Sequence, residues 1–223
     1  MPAFSSGVIQ FQRNVYPAKK DLFDVLSRGQ SPEALFITSA DARIEPALLT
    51  QTDPGDLFVC RNAGNIVPPH SSHTGGVTAT IEFAVAVLNV PHIIVCGHTG
   101  CGTMQAALHP DGCESLPHVK VWLEYAQAAI DAVNEQAPDA SEAERMHLLL
   151  RENVKLQLAH LKTHPSVKER LDRGDLSLHG WVYDIKSGCV DAFDEATDKF
   201  VPVADRYAEE ASAFVAPELC ATG

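Results

Sequence analysis

His98 and Cys101 stand three residues apart in the segment Ile93-Ile94-Val95-Cys96-Gly97-His98-Thr99-Gly100-Cys101-Gly102. The segment begins as an apolar run and ends in a glycine-rich turn, and open α/β sheets build ligand sites just past the carboxyl ends of such strands. On a tight turn both side chains can point at one cation, and imidazole with thiolate is a natural zinc pair. Read alone, the same residues also fit a loop histidine beside a partly buried cysteine. A second apolar run, Phe36-Ile37-Thr38-Ser39-Ala40-Asp41-Ala42-Arg43, closes with Asp41 and Arg43 two residues apart. Extended chain puts them on one side. There a guanidinium fork can hold the carboxylate bidentately and keep it ionised. Taken alone the pair also fits a surface salt bridge worth at most about 1 kcal/mol.

The elements that position these residues follow from the apolar pattern. Strands are expected at Leu35–Ser39, Leu57–Arg61 and His92–Gly97, and at Leu178–Asp184 and Cys189–Phe193, the last two joined as a hairpin across Lys186-Ser187-Gly188. The early strands run apolar without alternation, as buried parallel strands do. Between them, Val77 to Asn89 follows Gly75-Gly76 and is apolar almost all round, which predicts a buried helix ending before Pro91. Val119, Trp122, Leu123, Ala126, Ile130 and Val133 form one helical stripe, and Ser141-Glu142-Ala143-Glu144 is a capping box. It opens a long helix whose Met146, Leu150, Val154, Leu158 and Leu161 share a face. Alternating strands and helices mean α/β architecture. There is no repeat or convincing linker, so one domain is expected over residues 1–223.

Composition narrows the function. Net charge is −12 over 223 residues, which argues against phosphate-backbone binding and against anionic membranes as partners. No stretch of about 18 apolar residues could span a bilayer and no secretory leader is visible, so a cytoplasmic location is expected. Six cysteines (Cys60, Cys96, Cys101, Cys113, Cys189, Cys220) are too sparse for a disulfide scaffold. Cys60 lies near a strand end and could substitute as a ligand, but Phe58-Val59-Cys60-Arg61 reads as a structural position, as does Cys96. Cys96 and Cys101 miss the Cys-x-x-Cys spacing of a redox pair, and Gly97, Gly100 and Gly102 miss that of a dinucleotide loop. His70 and His73, after Pro68-Pro69, could line a pocket mouth. His147, His160, His164 and His179 have no partner at a meaningful spacing.

Together with Gly29-Gln30-Ser31-Pro32, Gly55-Asp56-Leu57-Phe58-Val59, Arg61-Asn62-Ala63-Gly64-Asn65 and Leu178-x-Gly180-Trp181, the two segments resemble the β-class carbonic anhydrases over nearly the whole chain. The resemblance is greatest to the bacterial cyanase-linked and cyanobacterial members. It implies a zinc-dependent lyase that reversibly hydrates carbon dioxide to bicarbonate. His98 and Cys101 become the second and third zinc ligands, Asp41 and Arg43 the dyad beside the metal, and Gln30 and Gly102 substrate contacts. It also implies a mostly parallel sheet of four strands plus an antiparallel edge strand, flanked by helices. The assembly is a homodimer or higher homo-oligomer, with the site near the interface and residues 1–30 (Tyr16 to Leu26 helical) packed on the partner subunit.

One position departs from that pattern. The family motif around the first ligand reads Cys-Ser-Asp-Ser-Arg, and this chain has Ser39-Ala40-Asp41-Ala42-Arg43. A serine hydroxyl stays protonated near neutral pH and offers a weak, neutral oxygen where a thiolate is expected. If a complete zinc site is worth about 10–16 kcal/mol, losing a main ligand removes several of them. Asp41, turning onto the metal beside His98 and Cys101, restores three ligands and charge neutrality. The competing expectation is a metal-poor, non-catalytic homologue that serves as a scaffold or binding subunit.

Overall fold

In a computed structural model of the chain, residues 3–72 and 74–208 are described. A six-stranded sheet runs in the order β2-β1-β3-β4-β5-β6, with β1 Ala34–Ser39, β2 Leu57–Asn62, β3 His92–His98, β4 Ser177–Tyr183, β5 Val190–Asp194 and β6 Lys199–Pro202. Strands β2, β1, β3 and β4 are mutually parallel, and β5 and β6 continue the sheet antiparallel. The chain is thus a mixed α/β fold with a mostly parallel sheet. Two antiparallel strands replace the single one expected: β6 is only four residues long, with Phe200-Val201 its whole apolar content, too brief to register as a pattern.

Alternation along β1 divides the core. Leu35 and Ile37 face the large cluster with Ile93, Val95, Leu149, Val154 and Leu161, whereas Ala34 and Phe36 face a smaller one with Ile44, Ile94 and Cys96. The Glu142–Leu161 helix carries the large cluster. Its capping box forms as read: the Glu144 amide donates to Ser141 Oγ at 3.3 Å, and the Ser141 amide to Glu144 Oε2 at 2.8 Å. The helix lies close enough on β4 that a Cβ at Gly180 would sit 2.8 Å from both Leu158 Cδ1 and Val154 Cγ1. Gly180→Ala is therefore expected to cost about 1–3 kcal/mol by urea unfolding, while Gly112→Ala, with nothing within 4 Å of the new Cβ, stays within about 0.5 kcal/mol.

Two helical expectations need correction. The Val77–Asn89 segment is helical over Gly76–Glu82 and continues as a wider π-turn over Phe83–Val87. It is not buried all round: Ile81, Ala84 and Val85 are, but Phe83 is 44% and Val87 58% exposed. The segment flanks edge strand β2, with the Phe58 and Phe83 rings 6.0 Å apart, and its outer face is left exposed among the described residues. Near the amino terminus the helix begins earlier and is broken, over Ala3–Gln10, Phe11–Val15, Tyr16–Ala18 and Lys20–Leu26. It leaves Phe4, Val8, Ile9 and Val25 exposed.

At the other end of the strands from the candidate site, His179 Nδ1 bonds the Tyr207 hydroxyl at 2.8 Å and its Nε2 bonds His92 Nδ1 at 3.2 Å. Burial, then the neighbouring His92 and Arg206, push its pKa down to about 4. Between that value and about 6.5 the unfolded chain binds the extra proton, so stability rises with pH and is lost as pH falls through this window, by at most about 1.4 kcal/mol per unit. On metal-free protein, the drop in urea midpoint between pH 7 and pH 5 is expected to shrink in His179→Gln; an equal drop in both proteins contradicts the assignment.

Candidate metal centre

Parallel pairing brings the carboxyl ends of β1, β2 and β3 side by side, with Thr38 opposite both Arg61 and Cys96. The segments singled out in the sequence therefore meet at one end of the sheet. After Ser39 the chain turns, and Asp41 and Arg43 pair as a fork: Arg43 Nε donates to Asp41 Oδ1 at 2.9 Å and Nη2 to Oδ2 at 2.7 Å. The Arg43 amide adds a third bond to Oδ1 at 2.9 Å. Nη2 also donates to the Gly100 carbonyl at 2.9 Å, tying this turn to the one after β3. Those bonds from Arg43 hold the Asp41 carboxyl well below the usual carboxylate range, so it is ionised at any working pH. The arginine is 54% exposed and its partner 18%, and the link to Gly100 distinguishes the pair from a simple surface salt bridge.

His98 is fully buried at the end of β3. Its Nδ1 lies 3.0 Å from the Thr99 carbonyl. A carbonyl only accepts, so Nδ1 carries the hydrogen and Nε2 presents its lone pair in the neutral ring. Nε2 is buried without a hydrogen-bond partner and stands 3.9 Å from Asp41 Oδ2. A buried polar atom left unpaired costs about 1–3 kcal/mol and calls for an explanation. Cys101 is 1% exposed and precedes the Gly102–Leu108 helix. Burial alone pushes its thiol pKa up, but the neighbouring His98 ring, then the amides of Met104 and Thr103, bring it net below the ordinary value. Burial pushes His98 down; the nearby Cys101 thiol, with the Thr99 carbonyl and Asp41, outweighs this and leaves its pKa raised.

An imidazole lone pair, a thiol inclined to ionise and a carboxylate are zinc's donor types, and the orphaned Nε2 fits a cation there. The set is close without being assembled: among the described residues no three His, Cys, Asp or Glu side chains already stand as a metal cluster. Asp41 has both oxygens on Arg43. Ser39, 3% exposed, uses its hydroxyl oxygen to accept the Asp41 amide at 3.2 Å.

Of the remaining expected contacts, Gly102 is the exposed first residue of its helix, and Gln30 is exposed without a bond to this site. Cys60 and Cys96 are core thiols raised by burial, Cys96 to about 12. His160 and His164 bond the Val67 and Pro68 carbonyls, His70 is an exposed loop residue, and His73 and Cys220 lie outside the described residues. Arg61 is the residue the sequence reading assigned no role. It donates to the carbonyls of Ser39 at 3.1 Å, Asp41 at 2.7 Å and Ile44 at 2.5 Å, so it staples the turn that carries the Asp41–Arg43 pair. It also pairs with the Glu45 carboxylate at 3.5 Å, but its three carbonyl bonds leave no trace in a charge pattern.

Residues 34–190 match the family model described as carbonic anhydrase. The carbonic anhydrase of Pseudomonas aeruginosa is 52% identical over 199 residues, covering 89% of this chain and 90% of that one. The chain belongs to the β-carbonic anhydrase family. The solved structure of the β-carbonic anhydrase CcaA superposes with a TM-score of 0.87 at 40% identity, over 89% of this chain and 97% of that one. A tetrameric β-carbonic anhydrase of Sordaria macrospora does so at 0.69 and 30% identity, covering 84% and 91%. β-Carbonic anhydrases are in general zinc lyases and assemble as homo-oligomers, which agrees with the donor types gathered here.

Proposed function

We propose that this chain reversibly hydrates carbon dioxide to bicarbonate at a zinc ion held by Asp41, His98 and Cys101, with an affinity weakened by Ser39. The observation that carries the reading is the buried Nε2 of His98, without a hydrogen-bond partner and 3.9 Å from Asp41 Oδ2, with the buried Cys101 three residues on. Zinc supplies a Lewis acid that makes water a nucleophile near neutral pH. The protein's part is to keep Nε2 deprotonated through the Nδ1–H bond, to supply one thiolate and one carboxylate against the dication, and to hold the turn in register through Arg61. Arg43, which bonds both Asp41 and the Gly100 carbonyl, would support the Asp41 carboxylate as a metal ligand.

The scaffold alternative has no observation in its favour. Gly102 faces the substrate in this reading, and Gln30 orients a substrate oxygen once a second copy covers the amino-terminal arm. The exposed apolar side chains of that arm and of the Phe83–Val87 face support a homodimer or higher homo-oligomer; no helix among the described residues is long and apolar enough to cross a membrane.

Stopped-flow hydration with a pH indicator tests the activity. Zinc-loaded protein is expected to accelerate hydration, and chelation to return the rate to background. A zinc-loaded chain that gives only the background rate overturns the proposal.

A further inference from the structure

The His98 side chain is held by a bond whose acceptor needs fixing in turn. Nδ1–H reaches the carbonyl of the next residue, Thr99, so the orientation of one peptide group decides which ring nitrogen keeps its hydrogen. Thr99, the residue that carries this carbonyl, is clamped through its own amide and side chain from β4 and the hairpin turn beyond it. The Thr99 amide donates to the Tyr183 carbonyl at 2.9 Å. Its hydroxyl donates to Asp184 Oδ1 at 2.9 Å and accepts the Ile185 amide at 3.0 Å. The one hydroxyl hydrogen and one of its lone pairs are both engaged, which leaves the side chain a single orientation.

Asp184 is itself built in. Oδ1 also accepts the Lys186 amide at 3.1 Å, Oδ2 accepts the Ser187 hydroxyl at 2.6 Å, and the Asp184 amide bonds the Cys189 carbonyl at 2.8 Å. The β4–β5 turn is thus a hydrogen-bonded anchor, tied to the turn after β3 by the Thr99 hydroxyl and, at the end of β4, by the Thr99 amide.

We propose that Thr99 and Asp184 are positioning residues that lock His98 in its Nδ1–H tautomer and thereby keep Nε2 available as a ligand. The inference rests on the reading of His98 as a zinc ligand, but its main readout needs no zinc. In metal-free protein, long-range ¹H–¹⁵N correlation spectra, with His98 identified by comparison with His98→Gln, report the tautomer directly. The parent and Thr99→Ser are expected to show a single Nδ1–H form, and Thr99→Val and Asp184→Ala a mixture or the Nε2–H form. Zinc affinity by chelator competition is expected to fall about tenfold or more in Thr99→Val and Asp184→Ala and to return with Thr99→Ser, as when groups that orient a metal-bound histidine are removed.

An unchanged Nδ1–H tautomer in folded Thr99→Val overturns the proposal, as does a lowered melting temperature without a tautomer change, since a merely structural role gives that result. Asp184→Ala decides the matter if Thr99→Val does not fold. A parent chain that takes up no zinc counts against the proposed function instead, and the tautomer measurement still judges the lock.

Discussion

Ser39→Cys is expected to raise zinc affinity by about two to four orders of magnitude, and carbon dioxide hydration at limiting zinc with it. Position 39 ends β1 inside the core, 3% exposed, close to the turn that holds Asp41. A thiolate there brings a second soft, anionic donor, so that with Cys101 the protein alone neutralises the dication. The hydroxyl it replaces accepts one amide at 3.2 Å, a bond worth about 0.5–1.5 kcal/mol. That loss is small against the several kcal/mol of a restored ligand in a site worth about 10–16 kcal/mol. Chelator competition gives the affinity and metal analysis the occupancy. Equal affinity in both proteins shows that position 39 does not face the metal.

Asp41→Ala is expected to have opposite weights in the two backgrounds. In the unmodified chain it removes one of three ligands and lowers zinc affinity about a hundredfold or more. In Ser39→Cys the cysteine has taken that role, Asp41 stays on Arg43, and the same substitution changes affinity little. This non-additivity reports that residues 39 and 41 compete for one coordination position. Arg43, half exposed, keeps its Gly100 bond in either case, so folding is not at stake. Equal losses in both backgrounds contradict the exchange.

Much of this arrangement was legible in the sequence, because local pattern carried it. Strands β1 to β5, the hairpin around Gly188 and the Ser141 capping box rest on apolar runs, a turn signal and a four-residue motif. The meeting of Asp41, Arg43, His98 and Cys101 followed from placing both segments at strand ends. What was not legible depends on distant surroundings. The Phe83–Val87 face looks like core in composition but lies beside edge strand β2, exposed among the described residues. Strand β6 is too short for a period to show. Arg61 works on three carbonyls and Thr99 on a turn 85 residues away, and neither contact leaves a trace in residue type or spacing. The bidentate pairing of Arg43 with Asp41 was expected, but that His98 Nε2 is left without a partner needed the geometry.

Zinc X-ray absorption on the unmodified, zinc-loaded protein tests the central claim most directly, because it counts ligands by element. The site built from Asp41, His98 and Cys101 predicts one sulfur at about 2.3 Å and lighter nitrogen and oxygen neighbours at about 2.0–2.2 Å, with near one zinc per chain at saturation. Two sulfurs would place another cysteine in the site, and no bound zinc would leave the buried Nε2 of His98 without the role assigned to it; either result contradicts the account.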